Sequence, residues 1–385
     1  MPRPTRRGLL VSTAFLAAPS LTLAQAESLR IGLILPMTGP FASTGRQIDA
    51  AARAWLRTHG EVQAGRKLEL LLRDDGGVQP DTTRRLAQEL VVRDKVKALA
   101  GFGLTPLALA AAPIATEAKL PMVVMAAATA IIPQRSPYIV RTSFTLPQVT
   151  APMAEWAARN GLRSAATLVT DFAPGHDAEG VFKARFAAAG GSVPLELRSP
   201  LRNPDYAPFL QRVKDAKPDA LFIFCPSGEG AAIMKQFQER GLKEAGIKLI
   251  GTGDVMDDDI LAGFGPDALG TITSHHYSAA HDSPENAAFV AAFRAVAPNL
   301  RPNFMAVGGW DGLQLIAEAL RAANGTDGDT LLAAMKGRRW TSPRGPVTIS
   351  AETRDITQDV YIRRVESREN QLWNIEFDRI AQVPA

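Results

Sequence analysis

Leu29-Arg30-Ile31-Gly32-Leu33-Ile34-Leu35 runs directly into Pro36-Met37-Thr38-Gly39-Pro40-Phe41-Ala42-Ser43-Thr44-Gly45, and from Gly45 to Thr58 apolar residues recur at helical spacing. A short apolar run, a bent loop rich in hydroxyls, then an amphipathic stretch is how a parallel strand passes into its crossover helix. The unit repeats. Leu68–Asp74, Val96–Gly101 and Met122–Ala126 read as the next strands, with helical spacing over Asp81–Asp94 and Pro106–Ala118. Asp81 suits an N-cap and Pro106 a first helical turn. The pattern predicts a doubly wound α/β unit.

The same alternation starts again further on. Ala165–Thr170, Val193–Leu197, Ala220–Phe224 and Leu249–Gly251 read as strands, with helices near Asp177–Ala189, Tyr206–Lys214 and Gly230–Arg240. A second α/β lobe therefore begins near residue 147. Before it, the extended segment Ser136–Phe144 suits a strand leaving one lobe for the other. After Thr271–Ser274 come helices Glu285–Ala295 and Phe304–Ala323, then short strands Val347–Ile349, Val360–Val365 and Leu372–Phe377. Late helices after a completed second lobe imply that the chain recrosses to the first, and two rigid lobes on parallel linkers form a clamp.

Arg6 and Arg7 precede the apolar stretch Gly8–Leu23, and Ala24-Gln25-Ala26 is the small-x-small pattern cut by signal peptidase. A signal peptide over residues 1–26 is expected, with the mature chain starting near Glu27, outside the cytoplasm. Ser12, Pro19 and Ser20 interrupt the stretch, which suits a leader better than a span of roughly 20 apolar residues. Both the twin-arginine and the general export route fit. The leader carries three arginines and no acid, so 43 basic residues become 40 against 39 acidic ones. That near-neutral balance, without a basic stripe, excludes a nucleic-acid footprint. The single cysteine, Cys225, ends an apolar run and reads as a buried hydrophobe. At 385 residues the chain exceeds what one core serves, so two domains are expected.

Tests for catalysis fail. Gly101-x-Gly103 meets Pro106, and Gly251-x-Gly253 meets Met256, where a dinucleotide fingerprint needs its third glycine. Pro226-Ser227-Gly228 lacks the glycine before the serine that a nucleophile elbow needs. Asp257-Asp258-Asp259, with His275, His276 and His281 as partners, invites a metal reading. Consecutive carboxylates do not converge on one ion without a shaped loop, and a solvated cap for a helix starting near Ile260 is the reading taken. No enzyme activity, cofactor or metal is expected.

In open parallel sheets small molecules bind beyond the carboxyl ends of the strands. Three first-lobe loops lie there: Pro36–Gly45 with Phe41, Ser43 and Thr44; Gly101–Pro106, where Thr105 is expected to cap a helix with free N–H groups; and Ala126–Thr129. The second lobe would close over them with Asp171-Phe172, Cys225-Pro226-Ser227 and Gly253-Asp254. A helix start beside a small-residue loop suits a carboxylate, which needs two or three donors to offset its desolvation.

Ile31–Pro40, Asp74-Asp75, Lys119-Leu120-Pro121, Ala128-Thr129 and Asp311-Gly312, in this order, give the chain a resemblance to the leucine/isoleucine/valine-type periplasmic substrate-binding proteins of ABC importers. The resemblance implies the type I periplasmic binding protein fold: two doubly wound lobes joined by three hinge crossovers, with ligand enclosed between them and delivered to membrane permease subunits. Lobe 1 would hold residues 27–146 plus 277–345, and lobe 2 residues 147–276 plus 346–385. The family's carboxylate loops fall on Leu104-Thr105 and Ala127–Thr129, and its aromatic wall positions on Phe41 and Phe172. Amino-acid-binding members hold the ammonium with an acid that falls near Gly253; Asp254, one position on, is the candidate substitute, although a neighbouring residue normally points elsewhere. Gly251–Val255, Ser274–Ser278 and Arg301–Ala306 are more similar to a subgroup associated with aromatic carboxylates. His275, His276 and Tyr277 fit either contacts to a ring hydroxyl or a strand end packed at the lobe junction.

The chain therefore reads as a non-catalytic, monomeric periplasmic receptor for a small organic acid, an aromatic or keto acid ahead of a branched-chain amino acid. A periplasmic ligand sensor is the competing class. The expected ligand contacts are Phe41, Thr44, Leu104, Thr105, Ala127, Thr129, Phe172, Ser227, Asp254 and His276.

Overall fold

The computed structural model describes residues 28–385, so the expected leader lies outside the described residues. The first lobe opens as β1 (Ser28–Leu35), α1 (Ala42–His59), β2 (Val62–Gln63), β3 (Arg66–Asp74), α2 (Pro80–Val92), β4 (Ala98–Gly101), α3 (Thr105–Ala118), β5 (Met122–Val124) and β6 (Ile139–Arg141). Its six-stranded sheet has the order β2-β3-β1-β4-β5-β6, and every neighbour pair except β2–β3 is parallel. Ile31, Leu33, Ile34 and Leu35 of β1 are all buried, as a central strand covered by helices on both faces requires.

The second lobe follows with α4 (Leu146–Arg159), β7 (Ser164–Thr170), α5 (Ala173–Ala188), β8 (Ser192–Ser199), α6 (Ala207–Ala216), β9 (Ala220–Phe224), α7 (Gly230–Glu239), β10 (Lys248–Thr252) and β11 (Ile272–His275). The chain then recrosses. Helices α8 (Pro284–Val296) and α9 (Phe304–Ala322) pack on α1, where the Trp55 indole donates to Gln314 at 2.8 Å, and α10 (Gly328–Met335) packs on α9. Close approach of α9 needs a residue without a Cβ at 308: a Cβ there would lie 2.2 Å from the Met125 carbonyl oxygen. Finally β12 (Arg339–Ser342), β13 (Gly345–Ile349), β14 (Ile356–Arg368) and β15 (Gln371–Val383) extend the second sheet to nine strands, in the order β12-β13-β14-β11-β10-β9-β7-β8 with β15 on β14.

Local signals account for most boundaries, and the misreadings have definite causes. Asp81 is not an N-cap: α2 starts at Pro80 after Gln79, and Asp81 sits in the first turn. Thr105 likewise does not cap α3. Leu104 holds that place, and Thr105 is the first helical residue. Helix α4 was not anticipated, because Pro147 and Pro152 mask its apolar spacing; Thr145 and Gln148 form its capping box. No regular helix begins at Ile260, and Asp257 and Asp258 are buried rather than solvated.

Buried guanidinium groups fasten the crossovers. Arg344, wholly buried, donates to Asp311 Oδ2 from Nη2 at 2.6 Å and to the carbonyls of Thr142 and Ser143 at 2.5 and 3.1 Å. Asp311 also accepts from Trp340 at 2.8 Å and Ser342 at 2.7 Å. A late helix, the final crossover and the first crossover thus meet on one ion pair. Gln358 continues the seam, donating to the Ser143 carbonyl at 3.1 Å and to Gln148 at 2.8 Å. Removing one partner of such a pair strands the other charge in the interior. Asp311→Ala is expected to cost about 3–5 kcal/mol of unfolding free energy, measured by urea titration.

Candidate ligand-binding site between the lobes

The carboxyl ends of β1, β4 and β5 face those of β7, β9 and β10 across a narrow, partly open cavity. Phe41, Thr44, Gly103, Leu104, Thr105 and Ala126–Ala128 line it from the first lobe. Phe172, Pro174, Phe224, Pro226, Ser227 and Asp254 line it from the second, with Phe144, Leu146 and Met305 at the crossovers. Eight of the ten expected contacts, all except Thr129 and His276, are therefore wall residues. Thr129 sits directly behind the wall, accepting from the Thr105 hydroxyl at 3.0 Å. His276 is set back further, its ring 5.1 Å from that of Phe144.

The first-lobe wall of the cavity presents amides that lack acceptors among the described residues. Helix α3 has no side-chain cap; Pro106 carries no N–H, the Leu107 and Ala108 amides bond to the Leu104 carbonyl, and the Thr105 amide finds no acceptor among the described residues. The turn leading into α3 is held under strain. Phe102, buried, adopts φ 67°, sparsely populated by bulky residues, and is pinned by Phe102 N–H to Ile34 C=O at 2.9 Å and Ala127 N–H to Phe102 C=O at 3.0 Å.

Arg141 orients the neighbouring loop. Its side chain is wholly buried, donates from Nε to Asp355 at 2.6 Å, and reaches the carbonyls of Ala127, Thr129 and Phe144 at 3.2, 2.9 and 3.3 Å. In a trans peptide the C=O and the following N–H point in opposite directions. Pulling the Ala127 carbonyl toward Arg141 therefore turns the Ala128 N–H away from it, and that amide has no acceptor among the described residues. By the same rule the Thr129 carbonyl aims the Ala130 N–H at the other lobe, where it donates to Asp177 at 3.0 Å. Burial pushes the Asp177 carboxyl up from its ordinary range.

The second-lobe wall has different chemistry. Asp254 is buried and lines the cavity. Its Oδ2 accepts from Thr252 at 2.8 Å; Oδ1 accepts from no described residue. The position before it carries no side chain for a steric reason: a Cβ on Gly253 would lie 2.0 Å from Arg363 Nη2 and 2.7 Å from the His275 ring. Arg363 is wholly buried, donates to the Tyr277 carbonyl at 2.5 Å, and feels Asp258 first and Asp254 among its acidic neighbours. His275 Nε2 is 3.6 Å from Asp254 Oδ2, too long for a hydrogen bond. Burial drives the His275 pKa down to about 4, and His276 also falls well below its ordinary value, so both rings are neutral at pH 7. Both pack against Phe144 and Phe304.

Aromatic rings line both walls. Phe172 stacks on Phe224 with ring centroids 6.1 Å apart, and Phe41 and Phe144 complete the apolar surface. Phe144, Phe224, Leu146, Pro174 and Met305 were not foreseen. For Phe224 the available signal was its place at the end of a strand read correctly.

A family model described as a periplasmic binding protein matches residues 28–370. A Brucella abortus protein, the Leu/Ile/Val-binding protein homolog 6, is 42% identical over 345 residues, covering 89% of this chain and 88% of its own. A solute-binding protein of an ABC transporter from Rhodopseudomonas palustris BisB5, solved with 3,4-dihydroxybenzoic acid, is 57% identical with a TM-score of 0.90 over 92% of this chain and 98% of its own. A solute-binding protein from R. palustris, solved with 4-hydroxybenzoate, is 41% identical with a TM-score of 0.91 over 93% of this chain and 98% of its own.

The packing of Arg363 against residue 253 is directly testable. Gly253→Ala is expected to destabilise the protein by about 1–3 kcal/mol through overpacking, read as a lower denaturation midpoint.

Proposed function

We propose that the chain, which belongs to the periplasmic binding protein family and is the solute-binding component of an ABC transporter, carries a small aromatic carboxylate bearing a ring hydroxyl. It works in the periplasm, is not an enzyme, and passes its ligand unchanged to a membrane permease. Export through a leader cleaved near Ala26, lobe limits at 146/147, 276/277 and 345/346, and action as a monomer belong to the same reading.

The carrying observation is the polarity of the cavity. Unclaimed amides of Thr105 and Ala128 stand on the first-lobe wall, a carboxylate acceptor, Asp254, on the second-lobe wall, and aromatic rings line both. The ligand carboxylate sits at the start of α3, held by the amides of Thr105 and Ala128 and by the Thr105 hydroxyl, which turns its proton to the ligand and accepts from Thr129 instead. Phe41, Phe144, Phe172 and Phe224 bracket the ring, where offset or edge-on aromatic contacts add to the burial of its surface. Asp254 accepts the ring hydroxyl.

An aliphatic amino acid fits the Asp254 side less well. A buried ammonium needs a negative charge that is not already spent, and the Arg363 guanidinium beside Gly253 draws on the charge of Asp254. A neutral phenol asks only for an acceptor. The complexes of the two R. palustris relatives with hydroxylated benzoates support the same class.

Titration calorimetry with 4-hydroxybenzoate, 3,4-dihydroxybenzoate, benzoate and leucine tests this. The hydroxylated acids are expected to bind with dissociation constants near micromolar, about −8 kcal/mol. Leucine binding with silent aromatic acids would overturn the ligand class. Thr105→Ala is expected to weaken binding by about 1.5–3 kcal/mol, the worth of a hydrogen bond to a charged group, with circular dichroism unchanged.

A further inference from the structure

Asp257 and Asp259 stand where the second lobe touches the first. Asp257 Oδ2 accepts from the Ser227 hydroxyl and from Asn303 Nδ2 at 2.9 Å; Asp259 Oδ2 accepts from the Ser43 hydroxyl. Ser227 lines the ligand cavity and belongs to the same lobe as the two acids. Ser43 lies on α1 and Asn303 caps α9, both in the first lobe, and Gln47 ties them together by accepting from the Asn303 amide at 3.2 Å and donating to the Arg301 carbonyl at 2.9 Å. The Ser43 and Asn303 contacts therefore exist only while the lobes are shut.

The donors at this seam are neutral, and the remaining oxygens, Asp257 Oδ1 and Asp259 Oδ1, are buried without a hydrogen bond. Charged groups on the surrounding elements do not supply a close cation. Arg46 on α1 acts on Asp259 only through space. Arg363 on β14 lies 3.9 Å from Asp258, and Arg301 also acts on Asp258 while stacking on Trp373 at 3.8 Å. Glu229, before α7, meets Tyr206, and His275 faces Asp254. Asp254 and Asp258 add negative charge near Asp257. Arg363 also acts on Asp257 through space, but no cation is within ion-pair distance of Asp257 or Asp259 among the described residues, and two mutually repelling carboxylates, one buried and one partly so, do not both stay ionised.

We propose that Asp257 and Asp259 share one proton when the lobes close, forming a latch through which ligand capture takes up a proton from solvent. The proton resides on one of the two oxygens that otherwise lack a partner. Burial, then the repulsion of Asp259, lifts Asp257 well above the carboxylate range, and burial also lifts Asp259. With the lobes apart, Ser43 and Asn303 are withdrawn, water reaches both acids, and values of about 4 return. The shut form thus binds more protons, and closure strengthens as pH falls through the raised value, by at most tenfold in affinity per pH unit. The gain is lost as pH rises above it.

Only the choice of ligand probe rests on the proposed aromatic carboxylate. Calorimetry of the full chain with 4-hydroxybenzoate at pH 7, repeated in buffers of different ionisation enthalpy, gives the protons taken up per ligand bound. The probe's carboxyl, with a pKa in the ordinary range of about 4 to 5, stays ionised throughout. Wild type is expected to take up more protons per ligand bound than Asp259→Asn, whose amide supplies the hydrogen permanently and preserves binding. Asp257→Asn gives the same comparison if Asp259→Asn folds poorly. Equal proton uptake in wild type and variant overturns the latch. Silence with every aromatic acid but heat with leucine overturns the ligand class instead, and proton uptake is then read with leucine as the probe.

Discussion

The binding site depends on one buried cation. Arg141 sits at the last position of β6, where an apolar strand end would be the cheaper choice, because a guanidinium taken out of water must have its donors matched. They are matched by Asp355 and by carbonyls of the loop after β5. Since a peptide's two polar groups oppose each other, fixing those carbonyls fixes the amides on the other side. The amide-bearing wall and the inter-lobe contact at Asp177 are both consequences of where one guanidinium points.

The same device recurs at the other two crossovers. Arg344 joins the first crossover to the last through Asp311, and Arg363 fills the space beside Gly253 while holding the chain at Tyr277. Linkers bound to one another in this way are coupled, the arrangement that hinge closure of two rigid lobes requires. The cost is three wholly buried arginines, each tolerable only because its partners are already in place when the lobes form.

The lobes, the strand ends and the loops that face each other were legible because strand alternation and glycine- or proline-marked turns are local. The polar framework was not. Arg141 follows Ile139-Val140 and invites reading as a strand end reaching solvent; nothing local says that Asp355, more than two hundred residues later, will meet it. Asp257-Asp258-Asp259 reads as solvated for the same reason, since three acids in a row are normally kept in water unless distant partners such as Ser43, Asn303 and Asn374 enclose them. Phe144 lies inside a segment that reads as a plain linker, and Asp254 reaches the cavity because the backbone past Thr252 turns into a short 3-10 segment. Helix caps were misplaced by one or two residues where proline followed, because proline fixes the first turn without needing a side-chain cap.

The arrangement of charge also explains why closure waits for a ligand. The first lobe brings to the cleft amides without acceptors, and the second brings Asp254, whose Oδ1 accepts from no described residue. Shutting an empty cleft would take both sets out of water with each still incomplete, a loss on the scale of unsatisfied buried groups. A molecule with a carboxylate at one end and a hydroxyl at the other supplies what each side lacks, and it can do so in only one orientation, because the acids of the second lobe repel its carboxylate. Recognition and lobe closure therefore draw on the same unmet hydrogen bonds, which is how a receptor with no moving part beyond its hinge discriminates between an empty and a loaded state.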